Sequence, residues 1–361
     1  MARSRWMIAL AAVLSASCGG KGNGEEPDSD ADADVEEEDV ADVGEDVPDV
    51  DTDEVEDAEE EDMPPTGTIE TMTGRLPAPV GGITAVTDGT YAYVLGGVTG
   101  PPPDTATDDI VRYDPAADAA TTLTAALPQP TFIAAAAWDG SDVYAFGGWA
   151  GSGLSDSIVR FDPGAGTVTT MTAVLPEPIA RTAVAWDGTS FVVLGGNLGS
   201  FVPSGFSDLV ATYTPSTDTL AEATSGLPSA RASRIGAIEC GSRILLFGGW
   251  GSSGKTDEIV EYDPGDGTVS VLTTRLPVAL DGGALACDGS RVYLFGGESD
   301  TATLDSIVLF DTDTDEALLL DVRLPSPMRG HAAVWMSGRA YIFGGNAGTS
   351  LTDAILRFTP G

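Results

Sequence analysis

Basic side chains are scarce in this chain, yet several recur at matching places in its sequence. Arg181 lies in PEPIARTAV, Arg231 and Arg234 lie in PSARASRIG, and Arg329 and His331 lie in PSPMRGHAAV. A guanidinium is a planar fork of donors that matches a carboxylate, sulfate or phosphate group. These residues therefore indicate either a site for an anionic ligand or, as the alternative, arginines that each pair with a neighbouring Asp or Glu.

Four aromatic residues lie in comparable segments of the chain. Trp149 and Trp250 each follow a Gly-Gly pair directly, and Phe201 and Phe206 lie in the longest segment after another such pair. Aromatic rings beside polar groups suit contact with a sugar or a peptide. The alternative is that each ring packs under its own loop. We add the four residues to the arginines and His331 as candidates for a ligand-binding face.

Residues that could carry catalysis are few. The chain has one His, which excludes a metal site built from several histidines. No catalytic triad order, phosphate loop or dinucleotide fingerprint occurs in a credible context. Asp281, Glu298 and His331 are the candidates for an acid–base pair, although they do not form an obvious one. The sequence leaves catalysis open, favours a protein without it, and predicts no cofactor and no metal.

One acidic run resembles the beginning of a calcium loop. DTDTDE at 311–316 places carboxylates at alternate positions, but it lacks the glycine and the distal glutamate of such a loop. Because the run follows a predicted strand, we expect an ordinary hairpin turn there.

Three markers recur through the chain and define the elements that must position these residues. Each marker occurs six times, at a period of about fifty residues. The markers are a Leu-Pro pair beginning at 76, 127, 175, 227, 276 and 324, a Gly-Gly pair beginning at 96, 147, 195, 248, 296 and 344, and an aromatic residue at 113, 161, 213, 262, 310 and 358.

Each copy of the repeat contains four predicted strands, as in RTAVAW, VYAFGG, SIVRFDP and TVTTMT. Four short strands joined by hairpins and repeated at this period are typical of the blades of a β-propeller. The units resemble kelch repeats over residues 68–360, which implies an all-β, six-bladed propeller with four antiparallel strands per blade. The Trp that kelch units usually carry seven residues after the aromatic is replaced by smaller apolar residues, namely Ala120, Val168, Leu220, Val269 and Ala317.

The first and last strands of the repeat region complete each other. The sixth copy ends at ILRFTPG after its third strand, whereas TIETMT at 68–73 reads as a fourth strand with no copy of its own. We therefore expect the N-terminal strand to join the last blade and close the ring, which would leave no open sheet edge.

Residues present in every copy are expected to be structural, because equivalent residues on six blades cannot converge on a single site. The Asp five residues before each aromatic is one of these, and we expect its carboxylate to bond loop amides. Variation in length falls mainly between the second and third strands, at 98–108 and 197–208. That face of the propeller is therefore the predicted binding face.

The N-terminal part of the chain has a different composition. Residues 1–18 resemble a bacterial lipoprotein signal that ends at Cys18, although an ordinary secretory signal is the alternative. Residues 19–66 are predicted to form a disordered acidic tether, and 67–361 form the propeller. The predicted location is the bacterial cell envelope, lipid-anchored, at the outer membrane.

Charge and cysteine content limit the partners. The formal net charge of −39 argues against nucleic-acid binding. The predicted compartment is oxidising, so Cys240 and Cys287 can form a disulfide. The alternative is that the fold holds the two thiols too far apart to bond. We expect a monomer.

The predicted function is a binding module for a protein or an acidic carbohydrate, and two alternatives remain. Some periplasmic kelch propellers epimerise sialic acid, so the resemblance also permits an epimerase or mutarotase for an acidic sugar. The second alternative is a purely structural envelope protein. Fold alone does not decide among them.

Overall fold

Six four-stranded antiparallel sheets make up most of the structure, which is a computed structural model describing residues 66–101, 105–151, 153–199 and 205–361. We number the sheets one to six in chain order and call their strands first to fourth. The predicted signal with Cys18, the acidic tether up to residue 65 and Phe201 lie outside the described residues.

The strand bounds follow the repeat. Sheet one contains Thr84–Thr87, Ala92–Leu95, Asp109–Asp114 and Ala119–Ala126. Sheet two contains Ala135–Trp138, Val143–Phe146, Ser157–Asp162 and Thr167–Val174. Sheet three contains Ala183–Trp186, Phe191–Asn197, Phe206–Thr214 and Thr219–Glu222.

The remaining sheets have the same order. Sheet four contains Ala237–Cys240, Arg243–Phe247, Glu258–Tyr262 and Val269–Arg275. Sheet five contains Ala284–Cys287, Arg291–Phe295, Ser306–Asp311 and Glu316–Arg323. Sheet six contains Ala332–Met336, Arg339–Phe343, Ala354–Pro360 and, as its fourth strand, Gly67–Arg75.

Three small three-stranded sheets each combine a short strand that precedes the first strand of a larger sheet with a hairpin between the second and third strands of that sheet. They are Thr131–Phe132 with Trp149–Ala150 and Gly153–Leu154, Arg231–Ala232 with Trp250–Gly251 and Gly254–Lys255, and Met328–Arg329 with Asn346–Ala347 and Ser350–Leu351. None of the described residues forms a helix long and apolar enough to cross a bilayer.

The fourth strand of sheet six comes from the start of the described chain. Gly67–Arg75 runs antiparallel to Ala354–Pro360, with Ile69 opposite Phe358 and Glu70 opposite Arg357. Arg357 also donates to the Glu70 carboxylate. The apolar side chain of Ile69 packs against the core cluster shared by sheets five and six.

The core lies between neighbouring sheets, and the repeated aromatic residues fill it. All four residues of the second strand of sheets one and two, Ala92–Leu95 and Val143–Phe146, are buried. Tyr113 of sheet one is fully buried, with its ring 5.5 Å from that of Phe343 in sheet six. The smaller apolar residues predicted to replace the kelch Trp lie against these clusters, as Val168 and Leu220 do.

The Gly-Gly pairs allow close approach of two backbones. Gly96 has φ 58°, and a side chain there would collide with the carbonyl oxygen of Thr131. That oxygen accepts a hydrogen bond from the N–H of Gly97 at 2.8 Å. Glycine is required because other residues rarely adopt this conformation and because the approaching carbonyl leaves no room for Cβ.

The repeated Asp acts differently from our prediction. Its backbone carbonyl, and not its carboxylate, accepts a hydrogen bond from the N–H of the Leu in the next Leu-Pro pair. This bond recurs six times at 2.8–2.9 Å, from Leu76 to Asp353 and from Leu127, Leu175, Leu227, Leu276 and Leu324 to Asp108, Asp156, Asp208, Asp257 and Asp305. The predicted carboxylate role was wrong because the Asp lies where the third strand begins, and there its carbonyl continues the hydrogen-bond ladder to the fourth strand.

Candidate functional site

The first strands of the six sheets surround a cavity of about 370 Å³. Small residues dominate its walls, and this leaves the space open. The lining residues fall within 82–87, 133–138, 181–186, 233–239, 283–287 and 330–335. Each first strand therefore contributes most of its length, so that one end of the cavity lies where the strands begin.

Backbone hydrogen bonds join the residues that precede the first strands. We call this set the mouth ring; its members are Gly82, Ile133, Arg181, Ser233, Gly282 and Gly330. The N–H of Ile133 donates to Gly82, that of Arg181 to Ile133, that of Ser233 to Arg181, that of Gly330 to Gly282 and that of Gly82 to Gly330, over 2.8–3.1 Å. The ring fixes the backbone at one end of the cavity.

Five of the six members of the mouth ring have a positive φ, and two of these, Ile133 and Arg181, are not glycine. Ile133 and Arg181 have φ of 51° and 55°, a region that glycine usually occupies and that is rare for a β-branched residue such as Ile133. Strain of this kind persists only where the surroundings impose it, and it is concentrated at functional sites. The ring thus holds Arg181 at the cavity wall by its backbone.

Arg234 is the extra residue that distinguishes the fourth copy of the repeat. From Leu-Pro to Gly-Gly the spacing is 21 residues there and 20 in the other copies. Its backbone N–H donates to Oδ1 of Asp281 at 2.9 Å and its Nε donates to Oδ2 at 2.9 Å. Its second terminal nitrogen donates to Oε1 of Glu298 at 2.8 Å. Arg234 therefore bridges sheets four and five at the mouth.

Glu298 collects further cations around the same point. Its other carboxylate oxygen accepts from Arg329, and Nζ of Lys255 lies 3.7 Å from Oε1. Burial alone would raise the pKa of Glu298, but the attraction of Arg234 and then of Arg329 outweighs it and lowers the pKa. The carboxylate is therefore ionised at neutral pH.

Asp281 is more deeply buried than Glu298, and nearby cations also lower its pKa. Its side chain is 1% exposed. Burial favours the protonated form, yet the nearby guanidiniums of Arg234 and Arg181 lower the pKa of Asp281. A buried carboxylate is tolerated here because it is paired and hydrogen-bonded.

The mouth carries an excess of positive charge. Burial, followed by repulsion from Arg234, lowers the pKa of Arg181 to about 10, which still leaves it protonated at neutral pH. Four cations, Arg181, Arg234, Lys255 and Arg329, thus surround the buried carboxylate of Asp281 and the half-buried carboxylate of Glu298. In a chain with a net charge of −39, this local reversal of sign would attract an anionic group.

Arg231 does not belong to this cluster, although we predicted it as a face residue. Its side chain is 1% exposed, lies beside Gly248 and Ser229, and pairs with Glu258. Its guanidinium therefore pairs and packs within the fourth copy of the repeat. The alternative that we considered, an arginine capped by a neighbouring carboxylate, describes this residue.

His331 lines the cavity but is almost fully buried. Its Nε2 lies 3.0 Å from the carbonyl oxygen of Phe295, and no described residue bonds its Nδ1. Burial lowers the pKa of His331 to about 4, so the ring is neutral at physiological pH. Because Asp281 and Glu298 are held ionised by arginines, no pair of an acid and a base is evident among these three candidates.

The described candidate aromatic residues pack against neighbouring side chains. Phe206 is buried, and its ring centroid lies 6.4 Å from that of Trp250. Lys255 lies over the Trp250 ring at 5.4 Å. Trp149 is half-buried against Phe132 at 6.3 Å. We therefore interpret these rings as supports for the loops around the mouth, which was the alternative reading of the sequence.

Two other predictions can be located. Asp311, at the start of the possible calcium loop, accepts from the N–H of Asp313 at 2.9 Å, as expected for a hairpin turn. The described residues contain no cluster of ligands suited to a metal ion. Cys240 and Cys287 form a disulfide with a Cα–Cα distance of 5.7 Å, so the open question of their pairing is answered.

Lys255 is the site residue that sequence reasoning missed. It lies in GSSGKTD, between the second and third strands of sheet four, on the face that carries the variable loops. Its Nζ donates to the carbonyl of Ser299 at 2.8 Å and lies 3.7 Å from Asp300. Its place on the predicted binding face was a usable signal.

Comparison with known proteins supports the repeat assignment. Residues 234–360 match the KLHDC2/KLHL20/DRC7 Kelch-repeats domain. No curated protein shows a significant match to the chain. The matched segment includes Arg234, Asp281, Glu298 and Arg329, and together with the antiparallel four-stranded sheets it supports a kelch-type all-β fold.

Proposed function

We propose that the six sheets are the blades of one closed kelch-type propeller. The pairing of Gly67–Arg75 with Ala354–Pro360 supports this arrangement, as does the hydrogen bond from Gly82 to Gly330 between the first and last copies. In this arrangement the cavity between the first strands is the central channel, and the mouth ring surrounds one of its openings.

We further propose that the protein is a binding module whose ligand carries a carboxylate or another anionic group. Kelch repeats generally act as protein-interaction modules, so an acidic segment of a protein is the leading ligand. The observation that carries the proposal is that Arg181 and Arg234 line the cavity of about 370 Å³, while Arg329 and Lys255 join Arg234 around Glu298. Each guanidinium has five N–H donors, so an arginine that already pairs with a carboxylate can still donate to such a group.

An acidic carbohydrate would use the same groups and is the second candidate ligand. A screen that displays acidic peptides and acidic glycans, each beside its uncharged counterpart, tests both. We expect the protein to retain acidic members only. Retention of neutral members as well would contradict a site that depends on charge.

We also propose that Cys18 becomes the lipidated first residue of the mature protein in a bacterial envelope, with residues 19–66 as its acidic spacer. The apolar run before Cys18 and the 23 acidic residues between 25 and 62 support this proposal. A Cys18→Ser variant should move the protein from the membrane fraction to the soluble fraction. An unchanged membrane fraction would contradict lipid anchoring.

A further inference from the structure

The mouth ring is interrupted at one place, between sheets four and five. Five of its six neighbouring pairs are joined by a backbone hydrogen bond, but among the described residues no such bond joins Ser233 to Gly282. The interruption coincides with the single extra residue of the fourth copy, Arg234, which follows Ser233 directly. The insertion displaces the chain at the point where the sixth bond would form.

The interruption leaves one acceptor and one donor. In the other ring members the carbonyl oxygen accepts from the next copy, whereas no described group donates to the carbonyl of Ser233. Likewise, the N–H of Gly282 has no described acceptor. Both residues are buried, and a buried backbone group without a partner is unfavourable. The two groups therefore require an external polar partner.

The surroundings of this gap indicate what kind of partner fits. Ser233, Arg234 and Gly283 line the cavity. The guanidinium of Arg234 lies against Gly282, with a terminal nitrogen 3.0 Å from where a Cβ on that glycine would be. A donor, an acceptor and a cation are thus placed side by side. A secondary amide supplies the matching acceptor and donor, and a nearby carboxylate matches the cation.

We propose that the gap between Ser233 and Gly282 is an amide-binding notch, and that the ligand combines a secondary amide with a carboxylate. The ligand's N–H donates to the Ser233 carbonyl, and its carbonyl accepts from the Gly282 N–H, which completes the mouth ring. Peptides and N-acylated sugar acids both supply this chemistry. The inference rests on the proposed anion site for the carboxylate, but the notch itself can be tested without any ligand.

The ligand-free test is hydrogen exchange of the full chain, resolved at single amides by NMR. We expect the Gly282 amide to exchange at least about tenfold faster than the ring amides of Gly82, Ile133 and Gly330, because those have protein acceptors. Equal protection of Gly282 in the free protein would overturn the notch, whatever the ligand proves to be.

The ligand test compares N-acetyl-L-glutamate with 2-acetoxyglutarate, an ester of the same charge that lacks the amide N–H. We expect the amide to bind about five- to tenfold more tightly, because the ester leaves the Ser233 carbonyl unpaired. Equal affinities would overturn the notch and leave the anion site standing. A contrast between N-acetylneuraminate and an N-acetylglutamyl peptide of equal charge then assigns the notch to a sugar acid or to a peptide.

A matched pair of variants isolates the extra residue. Both variants carry Asp281→Ala, because the third copy has an alanine, Ala180, at the matching position. One variant also carries Arg234→Ala. The other variant lacks residue 234. The two lack the same charges and differ only in the insertion. We expect the deletion to slow exchange at Gly282 and to abolish the preference for the amide over the ester. Retention of rapid exchange and of the preference in the deletion variant would overturn the inference.

Discussion

Cys240 is bonded to Cys287 across the same two sheets between which the mouth ring has no backbone hydrogen bond. The disulfide joins the ends of the first strands of sheets four and five, whereas Arg234 and Asp281 join those sheets where the strands begin. This pair of sheets is therefore held at one end by a covalent bond and at the other by a buried ion pair.

Removal of the disulfide should destabilise the folded chain. Closing a loop of 47 residues restricts the unfolded chain by about 4 kcal/mol in the chain-entropy description. We expect a reductant to lower the melting temperature of the wild-type protein, and a Cys240→Ser/Cys287→Ser variant to melt at the lower temperature with or without reductant. An unchanged melting temperature under reduction would contradict a stabilising bond.

Asp281 should be needed for stability. Asp281→Ala leaves the buried guanidinium of Arg234 with Glu298 alone, and breaking a buried pair of this kind typically costs about 3–5 kcal/mol. Denaturant unfolding measures the loss. Asp300→Ala is the control, because that carboxylate is 64% exposed and pairs with Lys255 at the surface. Equal effects of the two substitutions would contradict the assigned role of Asp281.

His331 should make stability depend on pH. Its folded pKa of about 4 lies below the value of about 6.5 expected in the unfolded chain, so the unfolded chain binds a proton first as the pH falls. The free energy of unfolding should therefore decrease between about pH 6.5 and pH 4, by on the order of 3 kcal/mol. His331→Gln, which does not titrate, should remove this part of the pH dependence. An identical pH profile in the variant would show that other groups cause it.

Local signals predicted the repeated framework well. Gly-Gly pairs, Leu-Pro pairs and buried aromatics recur because each sheet needs the same turns and the same packing, as Gly96 and Tyr113 illustrate. Ile69, in the fourth strand of sheet six, also packs against a core cluster, as Val168 does in the fourth strand of sheet two. The repeat thus identified strands and their order without any knowledge of longer-range contacts.

The site was predicted less completely, because it depends on contacts between copies. Arg231 and Arg234 are three residues apart and look alike in sequence, yet one pairs with Glu258 inside the same copy and the other reaches Asp281 in the next copy. The extra residue in the fourth copy was visible as a change in spacing, but only the hydrogen bonds of the mouth ring show its consequence. The spacing of residues in the sequence does not show which carboxylate a long side chain pairs with.

The N-terminal strand should be needed for stability, although it is distant in sequence from its partner. Deletion of residues 66–74 removes the strand that pairs with Ala354–Pro360 and exposes its edge. We expect a fall in melting temperature on the order of ten degrees, and aggregation. Deletion of residues 22–60 is the control and should leave the melting temperature nearly unchanged. Similar behaviour of the two deletions would contradict a structural role for this strand.

The most direct test of the anion site compares Arg329→Ala with Arg323→Ala for binding to the acidic ligand that the screen retains best. The two arginines are matched, with side chains 43% and 45% exposed, but Arg329 pairs with Glu298 at the mouth, whereas Arg323 faces Asp305, 3.9 Å away on sheet five. Both variants should melt within a few degrees of the parent, because neither side chain is buried. We predict that Arg329→Ala weakens binding about ten- to a hundredfold, the value of a charge-assisted hydrogen bond, and that Arg323→Ala leaves it unchanged. Equal affinities of the two variants would contradict the proposed site.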